Sequence, residues 1–252
     1  MIKAAIRRVL ARFGYNLTRK EPPRAFPVDF DSEAIDIIAA VRPYTMTSDE
    51  RIFVLIEAVR YLAKTNVEGG IVECGVWRGG SMMAVAHALA GLDRRDVDLY
   101  LFDTFEGMTE PQDVDLDYRG VSAHNEFARS RTSADASDWC RAEFGEVESN
   151  LISTGYPRDR IKLIRGKVEQ TIPSQAPSKI SLLRLDTDWY ESTIHELVHL
   201  YPRLSSRGVL IIDDYGHWMG SRRATDEYFA TLGVSPVLLN RIDYTGRVGV
   251  KP

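Results

Sequence analysis

The chain has 252 residues, of which 36 are acidic and 32 basic, giving a formal charge of −4. With 44% hydrophobic, 27% charged and 10% aromatic residues, its composition excludes a disordered or fibrous chain. No apolar run reaches the roughly 20 residues of a membrane-crossing helix, and two cysteines, Cys74 and Cys140, cannot build a disulfide framework.

No secretory apolar region is present, so a reducing, cytoplasmic setting is expected. Residues 1–20 carry six basic side chains (Lys3, Arg7, Arg8, Arg12, Arg19 and Lys20) and no acid, leaving −10 on the other 232 residues. In that segment Ile2, Ala5, Ile6, Val9, Leu10 and Phe13 recur at helical spacing, with Arg7, Arg8 and Arg12 largely on the other side. A basic amphipathic helix of this kind docks on its own domain or a second subunit, or lies peripherally on an anionic membrane surface. Pro22, Pro23 and Pro27 then read as a linker. The expected organisation is a helix and linker over 1–27, followed by one domain over 28–252.

Residues 32–41 read as a short helix. Thr47-Ser-Asp-Glu50 has the form of a capping box, introducing a helix over 52–62. Residues 71–74 are a strand candidate, followed by a glycine-rich turn and a helix over 82–92. Further strands are predicted over 99–103, 161–165, 180–186 and 208–213, with helices over 191–204 and 222–232. The tail reads as two strands, 237–242 and 247–250, joined at Tyr244, Thr245 and Gly246, with the glycine free to take a positive φ. This alternation predicts a doubly wound α/β fold whose mostly parallel sheet ends in an antiparallel edge hairpin.

One connection is too long for a simple crossover: 57 residues separate Asp103 from Ile161. Residues 106–148 hold eleven acids against four arginines, interleaved with Tyr118, Phe127, Trp139 and Phe144. The surplus reads as a lid, an oligomer contact or a plain surface insertion.

The turn Glu73-Cys-Gly75-Val-Trp-Arg-Gly79-Gly80-Ser81 lies between a predicted strand and a predicted helix. Its glycines allow positive φ and close approach of a ligand to the backbone, and the helix start offers free amides. The spacing is not G-x-G-x-x-G, which argues against a dinucleotide and an NAD-dependent oxidoreductase. Asp103 ends the next strand, where a carboxylate accepts bonds from ribose hydroxyls. Glu73 repels a pyrophosphate but attracts an ammonium group. S-adenosylmethionine has the ammonium, the ribose and no phosphate. The alternative is a tight structural turn with an incidental acid.

Asp186 and Asp188 follow the fourth strand, and Asp213 and Asp214 the fifth. If those strands are adjacent and parallel, the carboxylates meet at the carboxyl edge of the sheet, where ligands bind in open α/β folds. Clustered carboxylates repel unless a proton or cation intervenes, and a hard dication such as Mg²⁺ prefers oxygen donors. Asp188 is expected to start the following helix as a cap rather than bind metal. Asp213 and Asp214 have the alternative of being solvated loop residues. His195 and His199, four apart without a third ligand, read as surface or packing residues. His217 stands three residues after the aspartate pair, within reach of a substrate.

Taken together, Thr45-Met46, Val72-Glu-Cys-Gly-Val-Trp-Arg-Gly-Gly-Ser81, Leu101-Phe-Asp-Thr-Phe-Glu-Gly-Met108, Leu185-Asp-Thr-Asp-Trp-Tyr-Glu-Ser-Thr193 and Ile211-Ile-Asp-Asp-Tyr-Gly216 resemble the macrocin O-methyltransferase family, sugar O-methyltransferases of antibiotic pathways. The resemblance implies a class I methyltransferase fold, S-adenosylmethionine as donor and a divalent metal, usually Mg²⁺. It implies Asp186, Asp213 and Asp214 as metal ligands, with Asp186 doubling as the catalytic base. Asp103 would bind the donor's ribose, and Glu73, Gly75, Gly79 and Ser81 would surround its methionine end. It also implies a homo-oligomer and methyl transfer to a sugar hydroxyl of a glycosylated metabolite or glycan. The basic leader is not part of the family motif, so a membrane-linked glycan is a conceivable acceptor. Rival acceptors are catechol-like or other small vicinal diols, and a rival role is non-catalytic membrane-surface binding. Nucleic acid is not an expected partner, since the chain beyond residue 20 is acidic.

Overall fold

The computed structural model describes residues 26–134, 136–231 and 237–252. The basic helix expected over 1–20, and with it the question of what that helix docks on, lies outside the described residues. The chain forms two units, 1–30 and 31–252, and the sheet and its helices all belong to the second. No helix among the described residues is long and apolar enough to cross a membrane.

Two helices open the unit, α1 (Ser32–Val41) and α2 (Asp49–Thr65). Asp31 caps α1, its Oδ1 accepting from Ala34 N at 2.9 Å. At α2 the cap is Ser48, whose hydroxyl accepts from Arg51 N at 3.2 Å. The expected capping box is thus displaced by one residue, because the Thr47 hydroxyl is taken by Arg184 from the sheet.

Strand β1 (Gly70–Cys74) leads through the glycine turn into α3 (Gly80–Gly91), and β2 (Leu99–Asp103) precedes the long insertion. The insertion holds α4 (His124–Ser130) and α5 (Phe144–Ser153). Then come β3 (Ile161–Arg165), the single turn α6 (Val168–Thr171), β4 (Ile180–Leu185), α7 (Tyr190–Leu200) and β5 (Leu204–Ile212). Helix α8 (Met219–Thr231) and the short strands β6 (Asn240–Arg241) and β7 (Arg247–Val250) finish the chain. Helix α7 stops earlier than expected, in a 3₁₀ turn over Tyr201–Arg203 that contains Pro202. Strand β5 starts earlier than expected, because Leu204 already pairs with Ile180.

The seven strands run in the order β3-β2-β1-β4-β5-β7-β6, parallel except for β7, which is antiparallel to both β5 and β6. This is the expected doubly wound sheet with an antiparallel edge hairpin. Gly246 does not take the positive φ expected of it. Instead Asp243 Oδ1 makes the turn by accepting from Thr245 N and Gly246 N at 2.9 and 2.7 Å. A Cβ on Gly246 would press on the Arg51 side chain, so glycine leaves room for that arginine.

Alternation along the strands separates two interiors. Val72, Cys74, Leu183, Leu185, Leu210 and Ile212 join the core built with α7 and Tyr228 of α8. Ile71, Leu182 and Ile211 are also buried but face the other side, and Glu73, Arg184 and Asp213 continue that second row at its carboxyl end. A purely apolar sheet face thus gives way to charge within one residue of the strand ends.

Candidate active site

Strand register brings the charged residues together. Glu73 on β1 pairs directly with Arg184 on β4, and Arg184 with Ile211 on β5. The Arg184 guanidinium is only 3% exposed. Its Nη1 donates to Glu73 Oε1 at 2.6 Å and to Asp186 Oδ2 at 2.7 Å, while its Nη2 donates to Asp213 Oδ1 at 2.7 Å and to Thr47 Oγ1 at 3.2 Å. A second arginine, Arg51 on α2, pairs with Asp213 Oδ2 and holds Asp243 Oδ2 at 3.0 Å. Both oxygens of Asp213 are therefore engaged by guanidinium groups.

The carboxylates that converge are Asp186, which keeps one oxygen on Arg184, and Asp188 and Asp214, which have no such arginine bond among the described residues, each of the three offering an oxygen within 4.8 Å of the others. Here the structure departs from the expected set in two ways. Asp213 is turned into the arginine pair. Asp188 stands in the cluster instead of capping α7. It adopts a left-handed φ of 69°, a conformation that aspartate reaches more readily than most residues other than glycine. The capping task passes to Asp115 in the insertion, whose Oδ1 accepts from Tyr190 N at 2.8 Å.

Burial dominates the electrostatics. It pushes Asp188 up to about 7, with Asp186 and Asp213 adding repulsion. It pushes Asp186 well above the carboxylate range despite Arg184, and Asp214 likewise, with Asp188 beside it adding to the rise. Asp214 Oδ2 is buried without a hydrogen-bond partner. Glu73 rises to about 7 through burial, against the pull of Arg184. Six acids (Glu73, Asp103, Asp186, Asp188, Asp213 and Asp214) outnumber the guanidinium groups of Arg51 and Arg184 beside them. Such a group is stable only with added protons or a cation, and oxygen donors of this kind suit a hard dication. The residues present therefore fit the expected metal, with Asp188 in place of Asp213.

These aspartates line a cavity of about 190 Å³ together with Thr45, Gly75, Ser81, Asp103 and Cys140. It adjoins a smaller cavity of about 70 Å³ bordered by Thr104, Gly166, Lys167 and Val168. Gly75, Asp103, Gly107, Met108 and Asp186 border both, so the two form one elongated site over the carboxyl ends of β1, β2 and β4. Burial pushes the Cys140 thiol up to about 12, so it stays protonated. A larger cavity of about 440 Å³ opens at the opposite edge of the sheet. Its Arg94 and Lys179 are already paired with Asp96 and Glu68, and it holds no such cluster.

The expected donor-binding residues divide. Gly75 (φ 81°) sits where a Cβ would collide with the Asp186 carbonyl, so glycine is required for the ends of β1 and β4 to meet. Ser81 lines the cavity. Gly79 opens α3 with a φ of 87° and faces Val147 and Leu151 of α5, so Gly80 rather than Gly79 borders the cavity. Glu73 lies behind it, paired with Arg184. Asp103 borders both cavities, yet its Oδ2 accepts from Val76 N and Trp77 N at 2.6 and 3.1 Å, and its Oδ1 from Phe105 N at 2.7 Å. It clasps the glycine turn, and burial pushes its carboxyl up against the pull of those three amides.

The insertion is fastened over this edge. Trp189 Nε1 donates to the Thr109 carbonyl at 3.1 Å, Met219 N to the Leu116 carbonyl at 2.8 Å, and Asp117 bridges to Trp218. Trp139 of the insertion meets Trp189 and Trp218 edge to face at 5.6 and 6.0 Å. His195, as expected, serves packing, its Nε2 lying 3.0 Å from the Ile172 carbonyl. Sequence reasoning missed Arg51, Thr47, Asp115, Cys140 and Arg184. Only Arg184 left a signal, as a lone charge inside an otherwise apolar strand.

Known proteins place this geometry. The macrocin-O-methyltransferase (TylF) family model matches residues 16–248. The demethyldecarbamoylnovobiocin O-methyltransferase of Streptomyces niveus is 29% identical, covering 81% of this chain and 74% of that one. An O-methyltransferase of Streptomyces olivaceus named for a dimethoxyrhamnosyl-tetracenomycin acceptor is 33% identical, with coverages of 81% and 74%. Among solved structures, the O-methyltransferase NovP superposes with a TM-score of 0.69 at 29% identity, covering 82% of each chain. The fold is thus that of class I methyltransferases, and the chain belongs to the macrocin O-methyltransferase family.

Proposed function

We propose that this protein transfers a methyl group from S-adenosylmethionine to a sugar hydroxyl of a glycosylated metabolite, assisted by a divalent cation. The observation that carries the reading is the convergence of Asp186, Asp188 and Asp214, with a buried, unpartnered oxygen, on the cavity beside the glycine turn. The sugar acceptor is inferred from the names of the relatives in Streptomyces niveus and Streptomyces olivaceus.

Donor binding falls to Thr45, Ser81 and the turn around Gly75, which Asp103 holds in shape. The elongated site offers the donor's ribose the border at Asp103 and the rest of the molecule the adjoining cavity. Asp186, Asp188 and Asp214 would hold the cation, which supplies Lewis acidity that stabilises an alkoxide as it forms. Asp186 is the base of this scheme. Arg184 binds its Oδ2 and so fixes the orientation of the carboxylate that would receive the hydroxyl proton. The insertion excludes water through the Trp139, Trp189 and Trp218 cluster.

The test is transfer from labelled S-adenosylmethionine to glycosides and to a catechol, with Mg²⁺ and with EDTA. Labelling of a glycoside that EDTA abolishes is expected. Transfer to the catechol alone would move the acceptor to the aryl diols, and transfer unaffected by EDTA would remove the metal from the reaction.

A further inference from the structure

Three arginines gather around Tyr215, the residue that follows Asp214. Arg241 on β6 and Arg247 on β7 stand directly opposite each other in the antiparallel register, so their side chains leave the same face of the sheet. Arg247 also stands opposite Ile212 of β5, which puts that face on the side covered by α7 and α8. Arg222 enters from the first turn of α8. The guanidinium of Arg247 lies 4.8 Å from the centroid of the Tyr215 ring, and that of Arg222 lies 5.6 Å from it.

Like charges directly opposite on paired strands are destabilising unless an acid stands between them. Among the described residues no carboxylate forms an ion pair with Arg222, Arg241 or Arg247. The two acids nearby are committed elsewhere. Asp226 accepts from the Tyr215 hydroxyl at 2.8 Å, and Asp243 is taken by Arg51, Ser48 and the amides of Thr245 and Gly246. Burial lowers the pKa of Arg247, and Arg241 and Arg222 push it the same way, against Tyr215 and Asp243.

The three side chains are nonetheless held in place. Arg247 Nη1 donates to the Gly246 and Thr245 carbonyls at 2.9 and 3.3 Å. Arg222 donates from Nε to the Tyr215 carbonyl at 3.0 Å and from Nη2 to the Gly216 carbonyl at 3.4 Å, and Arg241 Nε donates to the Asp243 carbonyl at 2.7 Å. Carbonyl oxygens orient a guanidinium without neutralising it. Arg222 Nη1, both Nη atoms of Arg241, and Nε and Nη2 of Arg247 have no acceptor among the described residues.

Donors converging from three elements suit a tetrahedral group with several acceptor oxygens better than a planar carboxylate, and guanidinium forks match phosphate oxygens bidentately. Arg241 is exposed and the other two are half-buried, so a ligand can reach them. None of the three borders the cavities over the carboxylates, whose acidic floor repels an anion.

We infer that Arg222, Arg241 and Arg247 form a phosphate-binding site beside Tyr215, separate from the methyl-transfer cavity, and that its ligand presents a dianionic phosphate group, free or as a small monoester.

The test uses the full chain without donor, acceptor or Mg²⁺, so its outcome does not depend on the proposed methyl transfer. At about 10 mM, inorganic phosphate or glycerol 3-phosphate should raise the melting temperature by roughly 2–4 °C over sodium chloride. Ionic strength is matched, so that general screening is the same in each sample. A larger shift with inorganic phosphate assigns the free ion, and a larger shift with glycerol 3-phosphate assigns a monoester. Arg241→Gln removes an exposed side chain with a single bond to a carbonyl and should lose most of the shift. Combining it with Arg247→Gln should lose all of it, whereas Lys162→Gln on β3, at the opposite edge of the sheet, should keep it. An equal effect of chloride, a shift undiminished in Arg241→Gln, or a loss of similar size in Lys162→Gln would each overturn the inference.

Discussion

Arg184 and Asp213, at the carboxyl ends of neighbouring parallel strands, are joined inside the protein by a 2.7 Å bond between guanidinium and carboxylate. The same guanidinium reaches Glu73 and Asp186, so one cation serves three acids from three strands. Removing it leaves those acids in low dielectric with Arg51 as the nearest cation. Arg184→Met should therefore cost about 3–5 kcal/mol of stability, read by urea denaturation. A loss below about 1 kcal/mol would mean that the cluster contributes no more than a surface ion pair.

The two aspartates following β5 should differ in metal binding. Asp214 offers a free buried oxygen, whereas Asp213 is engaged by Arg51 and Arg184. Calorimetric titration with Mg²⁺ should show affinity reduced by roughly tenfold or more in Asp186→Asn, Asp188→Asn and Asp214→Asn. Asp213→Asn should retain most of it. The reverse pattern would restore Asp213 to the donor set and return Asp188 to a supporting role.

Gly75 allows the ends of β1 and β4 to meet. Alanine there meets a left-handed backbone, at about 1–2 kcal/mol, and a collision with the Asp186 carbonyl as well. Gly75→Ala should lower the melting temperature and abolish S-adenosylhomocysteine binding. A variant with unchanged melting and binding would show that the close approach is not needed.

Asp115 fastens the insertion to the start of α7 across 75 residues of sequence. It is fully buried, and a Cβ on Gly220 of α8 would collide with its carboxylate. Asp115→Ala should cost about 0.5–2 kcal/mol, the usual loss of a helix cap. It should also speed hydrogen exchange at the Tyr190 amide more than at the middle of α7. Uniform acceleration along the helix would point instead to global destabilisation.

Glu196 of α7 is fully buried, with Thr187 Oγ1 donating to its Oε1 at 2.9 Å, and burial pushes its carboxyl well above the usual range. In the unfolded chain it ionises near pH 4.3. Above that pH the folded state holds the extra proton, so stability is fully present below about pH 4.3 and is lost as pH rises toward the folded value. Glu196→Gln removes this dependence. Its melting temperature relative to the unaltered protein should climb between about pH 5 and about pH 8. A difference constant over that range would show that Glu196 is not held protonated.

Periodicity, glycine punctuation and apolar runs are local properties, and they sufficed for the order of the strands, the helices that flank them outside the insertion and the β3–β4 connection, the glycine turn and the acids at the ends of β4 and β5, but not for α4, α5 and α6. A doubly wound sheet follows from that alternation, because crossover helices must cover both faces of parallel strands. Which acid faces the cavity is decided over longer distances. Arg51 stands 162 residues from Asp213 and Arg184 stands opposite Glu73, so whether an aspartate is a ligand or an ion-pair partner depended on strand register and on where α2 packs. The same is true of Thr47, drawn from its expected cap by Arg184, and of Asp188, released from capping by Asp115. Sequence spacing specifies which groups can be brought together. Desolvation and charge balance in the folded interior select among them, and both depend on tertiary contacts that short-range pattern does not contain.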